Sequence, residues 1–309
     1  MLLRPLAFLG RHATTVMALC LIIGIVAQPL AALLKPMLTP AVAGLLLFTM
    51  IRVEWSAVLG YRRRPILVVS LLVWMLVLSP LLVAGLLTLL PLGPGLATAL
   101  ILMAASCSLS STPALAAMMG LDGALGLVLM VGGTLLLPFT LPLVAVGLLD
   151  LDVAVDAFGL WLRLAGLIGG GALAAVVIRR LVGRDRLAEH GQVVDGLIVM
   201  ALIVFAIAIV DGLTPRLAVQ PLFILGLAVL SFGASFLHLV AGTFVFAWAG
   251  RQRALTTGYV LGNRNLGVLL AVLPAGADPD IFLYFVVAQL PIYLWPAILA
   301  PVYRRLLRK

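Results

Sequence analysis

Arg264 stands between two asparagines, Asn263 and Asn265, within the run GYVLGNRNLGVLLAVLP from Gly258 to Pro274. The rest of that run suits lipid. An arginine at the centre of a membrane helix costs about 2.5–3.5 kcal/mol on insertion scales, so an intramembrane charge points to function. The guanidinium is a planar fork of N–H donors that matches a carboxylate or sulfate in bidentate fashion, which makes an organic anion the ligand to expect. The competing reading is structural, with the guanidinium capping helix carbonyls or reaching an interface. A second polar knot, SCSLSSTP from Ser106 to Pro113, interrupts another apolar run. Ser110, Ser111 and Thr112 offer hydroxyls there as site lining, against the alternative that they bond back to the preceding turn or join helices. Pro113 removes a backbone donor and forbids a regular helix across the knot. His238, the one histidine inside an apolar run, is a candidate for proton coupling; a satisfied donor between helices is its plainer role. Asp195, at the start of another run, either pairs with it or sits solvated at a helix start.

These residues need a frame, and the composition supplies it. Of 309 residues, 64% are hydrophobic and 10% charged, and the mean hydropathy is +1.27. A soluble domain carries about 25% charged residues, so the chain reads as an integral membrane protein. A spanning helix needs about 20 apolar residues, and about ten such stretches follow one another: 12–34, 36–52, 65–90, 95–119, 121–149, 155–178, 193–210, 222–247, 254–275 and 279–303. Strand-type alternation is absent, which argues against a β-barrel. The longest polar piece, Arg179 to Gln192, reads as a loop, and no break has room for a soluble domain. Trp55, Trp161 and Trp295 fall near predicted span ends and fit interface anchors. Gln28 and Gln289 read as polar glue between helices. Cys20 and Cys107 form no C-x-x-C pair, so neither metal nor redox chemistry is indicated.

The net charge of +9 marks orientation rather than a nucleic-acid partner. Arg4, Arg11, Arg52, Arg62–Arg64, Arg179, Arg180, Arg184, Arg186, Arg251, Arg253, Arg304, Arg305, Arg308 and Lys309 all fall on one side of a ten-span arrangement. Lys35, Arg163, Arg216 and six aspartates fall on the other. This positive-inside pattern places both termini in the cytoplasm, in a plasma (inner) membrane, with anionic lipid headgroups as contacts.

The fourth and ninth stretches share a plan. Each has an apolar half, a polar knot, a second apolar half, a turn with Asp (GLDG; AGADPD) and a proline-punctuated helix (LLLPFTLP; AQLPIYLWP). Thr112 and Asn265 are separated by the same interval as Pro138 and Pro291, close to half the chain. The Asp-rich segment Asp150–Asp156 is the natural joint, giving halves 1–150 and 151–309. Five spans per half is odd, so the second half must enter the membrane inverted. The expected fold is all-α and polytopic: two inverted five-helix repeats, with helices four and nine interrupted and crossed. Such interruptions are the sequence pointer to the binding site of a secondary transporter. Exposed backbone at a break is tolerated only when buried in protein or lining a cavity. Thr112, Asn263 and Asn265 would then supply ligands beside Arg264. No H-E-x-x-H, G-x-S-x-G or phosphate-binding glycine loop appears, so neither an enzyme nor a cofactor is expected.

SSTPALAAMMGLDGALGLVLMVGGTLLLP and TTGYVLGNRNLGVLLAVLP resemble the bile acid:sodium symporter family, whose broad fold is shared by arsenite and auxin-efflux carriers. The resemblance implies ten spans in two inverted repeats and transport of an organic anion. It also implies where sodium ligands should stand. The family's sodium-binding acid falls at Val260 and its glutamine at Arg264, while Asn265 keeps the asparagine. Its Ser/Thr is kept as Thr112, but the neighbouring asparagine is Pro113. Two further hydroxyl positions fall at Gly126 and Met130, and the third span offers no Asn or Gln. Two like charges about 4 Å apart repel by about 4 kcal/mol at an effective dielectric of 20. Arg264 is therefore expected to stand in for the metal electrostatically. The reading is a secondary transporter of an organic anion, not sodium-coupled in the family's usual way. The alternatives are a sodium symporter that uses backbone oxygens, and a transport-dead membrane sensor or assembly protein.

Overall fold

The computed structural model describes residues 13–149, 157–274 and 276–307. The predicted joint, with Asp150, Asp152 and Asp156, lies outside the described residues, as do Arg4 and Arg11. The described chain is almost all helix, with no strands among the described residues. In order the helices are α1 Ala13–Val26, α2 Gln28–Arg52, α3 Trp55–Gly60, α4 Pro65–Leu87, α5 Pro94–Ala105, α6 Thr112–Met118, α7 Gly123–Leu149, α8 Ala157–Val182, α9 Arg184–Glu189, α10 Gly191–Ala208, α11 Leu213–Val219, α12 Pro221–Val245, α13 Arg251–Gly262, α14 Leu266–Val272 and α15 Pro279–Leu307. Proline opens several of them. Pro29, Pro65, Pro94, Pro113 and Pro279 all sit in the first turn, where a missing N–H costs nothing and the fixed φ suits the helix.

Seven helices among the described residues are long and apolar enough to cross a membrane: α2, α4, α7, α8, the α10–α11 run, α12 and α15. They make the chain an integral membrane protein. Three of the ten predicted stretches are not among them. In the first, the helix breaks at Ala27, one residue before Gln28-Pro29, and the chain then runs helically to Arg52 through a tight turn at Lys35–Met37. The other two are the stretches with polar knots. Their pieces, of 12 and 7 residues in each case, are individually short of a span.

One local expectation fails. The stretch Arg179–Gln192 is not a loop: α8 continues to Val182, Gly183 turns the chain at φ 84°, and Arg184–Glu189 forms a helix. Its arginines, leucine, alanine and glutamate are helix formers despite their polarity. Trp295, near the middle of α15, is tied within the protein. Its indole donates to Ser235 Oγ at 2.8 Å and its ring packs on Phe232 and Phe236, joining α15 to α12.

The chain divides into two compact units, Met1–Val53 with Ala165–Leu225, and Glu54–Leu164 with Gly226–Lys309. In the first, α2 is pinned to α10 and the turn after it at two places. Lys35 pairs with Asp211 at 2.9 Å, and Arg52 with Asp195 at 2.9 Å. Between residues 35 and 52 a helix rises about 25 Å, as does α10 over a similar interval, so one pair ties each end. Gln28 is glue as expected, donating to Gly24 O and accepting from Gly212 N. Arg179 adds bonds to Ile51 O and Val53 O at 2.7 and 3.0 Å.

The second unit holds both broken stretches. An aspartate follows each. Asp122 accepts Leu125 N at 3.0 Å, capping α7, and its own N–H donates to Thr256 Oγ1 on α13 at 2.9 Å. Asp278 accepts Asp280 N at 2.9 Å, capping α15, and lies so close to Gly95 in the first turn of α5 that a Cβ there would clash with its carboxylate. Each acid thus caps the next helix and touches the early turns of the other broken stretch. Tyr61 also donates to Asp122. Burial, then the carboxylate beside it, push the phenol up to about 12, which keeps it a protonated donor at neutral pH.

Candidate functional site: the paired breaks

Both broken helices stop where their carbonyls can be met by something other than the next turn. α5 ends at Ala105 and α13 at Gly262. The two breaks then pair like a scrap of antiparallel sheet. Ser108 faces Arg264, Leu109 N donates to Asn263 O at 3.0 Å, and Asn265 N donates to Cys107 O at 2.8 Å. Backbone polarity that lipid cannot satisfy is consumed inside the protein.

An α-helix leaves its last four carbonyls without internal partners. At α13 all four are met. Asn263 Nδ2 donates to Tyr259 O at 2.8 Å, Asn263 N to Val260 O at 3.3 Å, Arg264 Nε to Leu261 O at 2.8 Å, and Ser235 Oγ of α12 to Gly262 O at 2.6 Å. Arg264 then reaches beyond its own helix. Its Nη1 donates to Ser106 O at 2.8 Å and to Met75 O at 3.2 Å, and its Nη2 to Ser79 Oγ at 3.0 Å. The guanidinium is 2% exposed, and no carboxylate pairs with it among the described residues. Its partners are oxygens at two helix ends and at a π-helical turn, Trp74–Leu78 of α4. That turn shifts the hydrogen-bond ladder and brings Met75 O and Ser79 to the crossing, as π-turns at functional positions commonly do.

Asn265 caps α14, its side chain accepting from Val268 N at 3.3 Å. On the other strand of the pair, Thr112 and Pro113 open α6, as the sequence requires. Ser108 and Thr112 are 0% exposed and Asn263 is 1% exposed, yet Ser108 Oγ, Thr112 Oγ1 and Asn263 Oδ1 have no hydrogen-bond partner. A buried orphan polar group costs about 1–3 kcal/mol. Three of them belong to the two breaks; Arg253 Nε, Tyr259 OH and Tyr303 OH, toward the Asp122 end of the unit, are likewise without a partner.

The sequence-predicted residues thus fall into two sets. Arg264, Asn263, Asn265 and Thr112 meet at the crossing. Ser110 and Ser111 are half-buried in the turn before α6, and Ser111 makes no side-chain cap bond. His238 sits on α12, its Nδ1 2.7 Å from Ala234 O. Asp195 pairs with Arg52. The residues missed by sequence reasoning are Ser108, Met75 and Ser79. A faint signal for the last was the Ser79-Pro80 pair in an otherwise apolar run.

Glycines let α13 approach α12 closely. Gly258 and Gly262 are spaced as a small-xxx-small pair. A Cβ on Gly258 would collide with Thr243 Oγ1 and Leu239 O, and one on Gly262 would lie 3.1 Å from Ser235 O. The close approach is what brings Ser235 within reach of Gly262 O. At Gly126, a Cβ would lie 3.3 Å from Pro113 Cα, so α7 packs directly on the start of α6.

No protein-family model and no curated protein matches the chain. The functional reading therefore rests on the crossing itself.

Proposed function

We propose that the protein is a secondary transporter that carries a small organic anion across the membrane by alternating access, with Arg264 as a fixed internal cation in place of a bound metal ion. One observation carries the proposal: the Arg264 guanidinium is buried, has no carboxylate partner among the described residues, and is surrounded by Leu261 O, Ser106 O, Met75 O and Ser79 Oγ. A shell of carbonyl and hydroxyl oxygens is what a hard monovalent cation would take.

The charge balance gives the sign of the ligand. A helix terminus is worth about half a charge, positive at N-termini and negative at C-termini. Two of each meet here, the ends of α5 and α13 and the starts of α6 and α14, so to first order they cancel. The guanidinium then remains as a whole positive charge. An anion about 6 Å from it gains about 3 kcal/mol at an effective dielectric of 20. Four of its five N–H bonds go to protein oxygens, so its charge is the main attraction, and the orphan hydroxyls of Ser108 and Thr112 are the donors left to grip a carboxylate or sulfate.

Several features support a ten-helix reading as two inverted repeats. The two broken stretches have pieces of matching length, and their aspartates make reciprocal contacts. Each compact unit draws on both halves of the chain: predicted helices one, two and seven with the larger part of six in one, and three to five, nine and ten with most of eight and the start of six in the other. Alternating access in secondary transporters usually comes from rocking of one group of helices against another. The resemblance to the bile acid:sodium symporter family supports the same reading, with the termini on the cytoplasmic side of a plasma (inner) membrane.

Uptake into proteoliposomes tests the proposal, using bile salts, steroid sulfates and small carboxylates under separate sodium and proton gradients. Uptake of an anion that needs no sodium gradient and disappears in Arg264→Gln is the expected result. Sodium-stimulated uptake would overturn the assignment of Arg264 as the metal's replacement. Absence of uptake and of binding for every anion, in protein whose stability still depends on Arg264, would make the arginine a structural plug and the protein a sensor or assembly factor.

A further inference from the structure

The second unit has a cavity away from the orphan groups. It lies among α5, α7, α8, α14 and the start of α15, with a volume of about 190 Å³. Leu102 and Leu269, both buried, line its deep end, each one helical turn from the crossing residues Ser106 and Asn265. Pro94 and Asp278, both exposed, mark its mouth. Among the described residues that line it, Thr98 adds a hydroxyl, Asp278 is the one formal charge, and the rest are apolar or glycine.

Size and polarity together define the occupant. A dry apolar cavity of about 150 Å³ binds benzene, whereas pockets for drug-sized ligands start at about 300 Å³. This cavity takes one ring or a short branched chain, and nothing as large as a fused-ring skeleton. The polar end of such a ligand stays at the mouth, because the deep end offers no hydrogen-bonding side chain. There it meets the Asp278 carboxylate. One oxygen, Oδ1, is used by Asp280 N, and the side chain is exposed and has acceptor capacity to spare. The nearest cation on the wall elements, Arg163, is one turn past Leu160 on α8, and its Nη1 points to Val272 O at 3.3 Å; Asp280 adds a second carboxylate beside the mouth.

The opposite end of the same unit shows that the space is not an unavoidable result of the fold. Where α6, α13 and α15 converge near Asp122, Met119, Leu121, Tyr259 and Tyr303 fill the interior as one packed cluster. Large side chains occupy there what small ones leave open at the Asp278 end.

We propose that this cavity is a binding site for small apolar amines, with the hydrocarbon part seated between α5 and α14 and the ammonium group on Asp278. The site is independent of the anion site at the crossing. Its test uses the full-length protein in lipid nanodiscs and three probes with one ring and different heads: benzylamine, benzyl alcohol and benzoate. Saturation-transfer NMR gives the affinities. Benzylamine should bind about five-fold tighter than benzyl alcohol, the ratio that an exposed ion pair of about 1 kcal/mol produces, and benzoate should bind most weakly. In Asp278→Asn the amine should lose its advantage while the alcohol still binds; asparagine caps a helix as well as aspartate does, so this variant should fold. Thr98→Phe should abolish binding of all three probes, and Ala145→Val, a milder filler should Thr98→Phe not fold, should weaken it. Equal or tighter binding of benzoate would overturn the proposal. So would an amine preference that survives Asp278→Asn, or undiminished binding in the filled variants, which would mean that the probes dissolve in the bilayer.

Discussion

In the second break, each carbonyl that α13 leaves open has a named donor, and Asn265 caps the helix that follows. In the first break, the local provision is thinner. Ser106 folds back on Met103 O with its N–H and its hydroxyl, at 3.1 and 2.9 Å. Ser106 O, just past the helix end, is met by Arg264 from the other break, while Ser108 and Thr112 have hydroxyls to spare. The second break stabilises both and brings the charge. The first keeps most of the unspent donors. Division of labour of this kind separates what holds a crossing together from what a ligand can use, and substitutions on the two sides should act in opposite ways.

The largest effect is expected at Arg264. Arg264→Ala removes donors from three buried carbonyls and a hydroxyl. Each of the four orphaned polar groups costs about 1–3 kcal/mol, partly offset because a buried, unpaired charge is removed; a net loss of about 3–5 kcal/mol, the scale of breaking a buried charged interaction, should appear as a fall in melting temperature of detergent-solubilised protein. Arg264→Lys keeps the charge but loses the fork, and should fall between the variant and the native protein. If Arg264→Ala melts like native protein, the second break does not stabilise the first.

Next is Gly258→Ala, which tests whether the close seat of α13 on α12 matters. The added methyl meets the backbone oxygen of Leu239 as well as the Thr243 hydroxyl, so it cannot be absorbed by a side-chain rotation alone. Overpacking of this kind costs about 1–3 kcal/mol. A matching substitution in α5, Ala97→Ser on a half-exposed position, should change the melting temperature little, and equal losses in the two helices would erase the contrast between them.

Ser79→Ala is a narrower cut. It removes one hydrogen bond to a charged donor, worth about 1.5–3 kcal/mol, and leaves the other Arg264 bonds in place. The loss should sit near the lower figure, because Arg264 keeps its three carbonyl partners. Thermal melts of the single variant and of the double variant with Arg264→Ala check this: the serine's contribution should vanish once the arginine is gone.

The sequence made the crossing visible for a physical reason. A polar knot inside an apolar run has to be buried or wet, so GNRN and SCSLSSTP announce interruptions, and prolines in first turns mark most of the helix starts. Arg264 stands out because its cost in a bilayer is large. Its partners did not stand out. Three are backbone carbonyls, which carry no residue signature, and one of these, Met75 O, arrives with Ser79 through a π-turn that shifts the register of α4. Ser108 lay in a run of similar serines, and only the pairing of the two strands singles it out. Arg179–Gln192 shows that charge alone does not mark a loop: arginine and glutamate also build a helix. The partners of Trp295, Ser235 with Phe232 and Phe236, were not legible because nearness to a run's end says nothing of which face a side chain takes.

The last test concerns the unspent donors, and its sign is its content. Thr112→Val keeps the shape of the side chain and replaces a buried hydroxyl that has no partner. A hydroxyl paired in the folded protein would make this change destabilising. An orphan makes it neutral or stabilising by up to about 1 kcal/mol, since a desolvated polar group is exchanged for a methyl. Ser108→Ala should behave alike. If these hydroxyls serve a ligand, both variants should melt at or above the native temperature while anion uptake falls about ten-fold or more, the effect of losing a hydrogen bond of about 1.4 kcal/mol. A stable variant with native uptake would strip the first break of its role, and an unstable one would show that the hydroxyl has a partner within the fold.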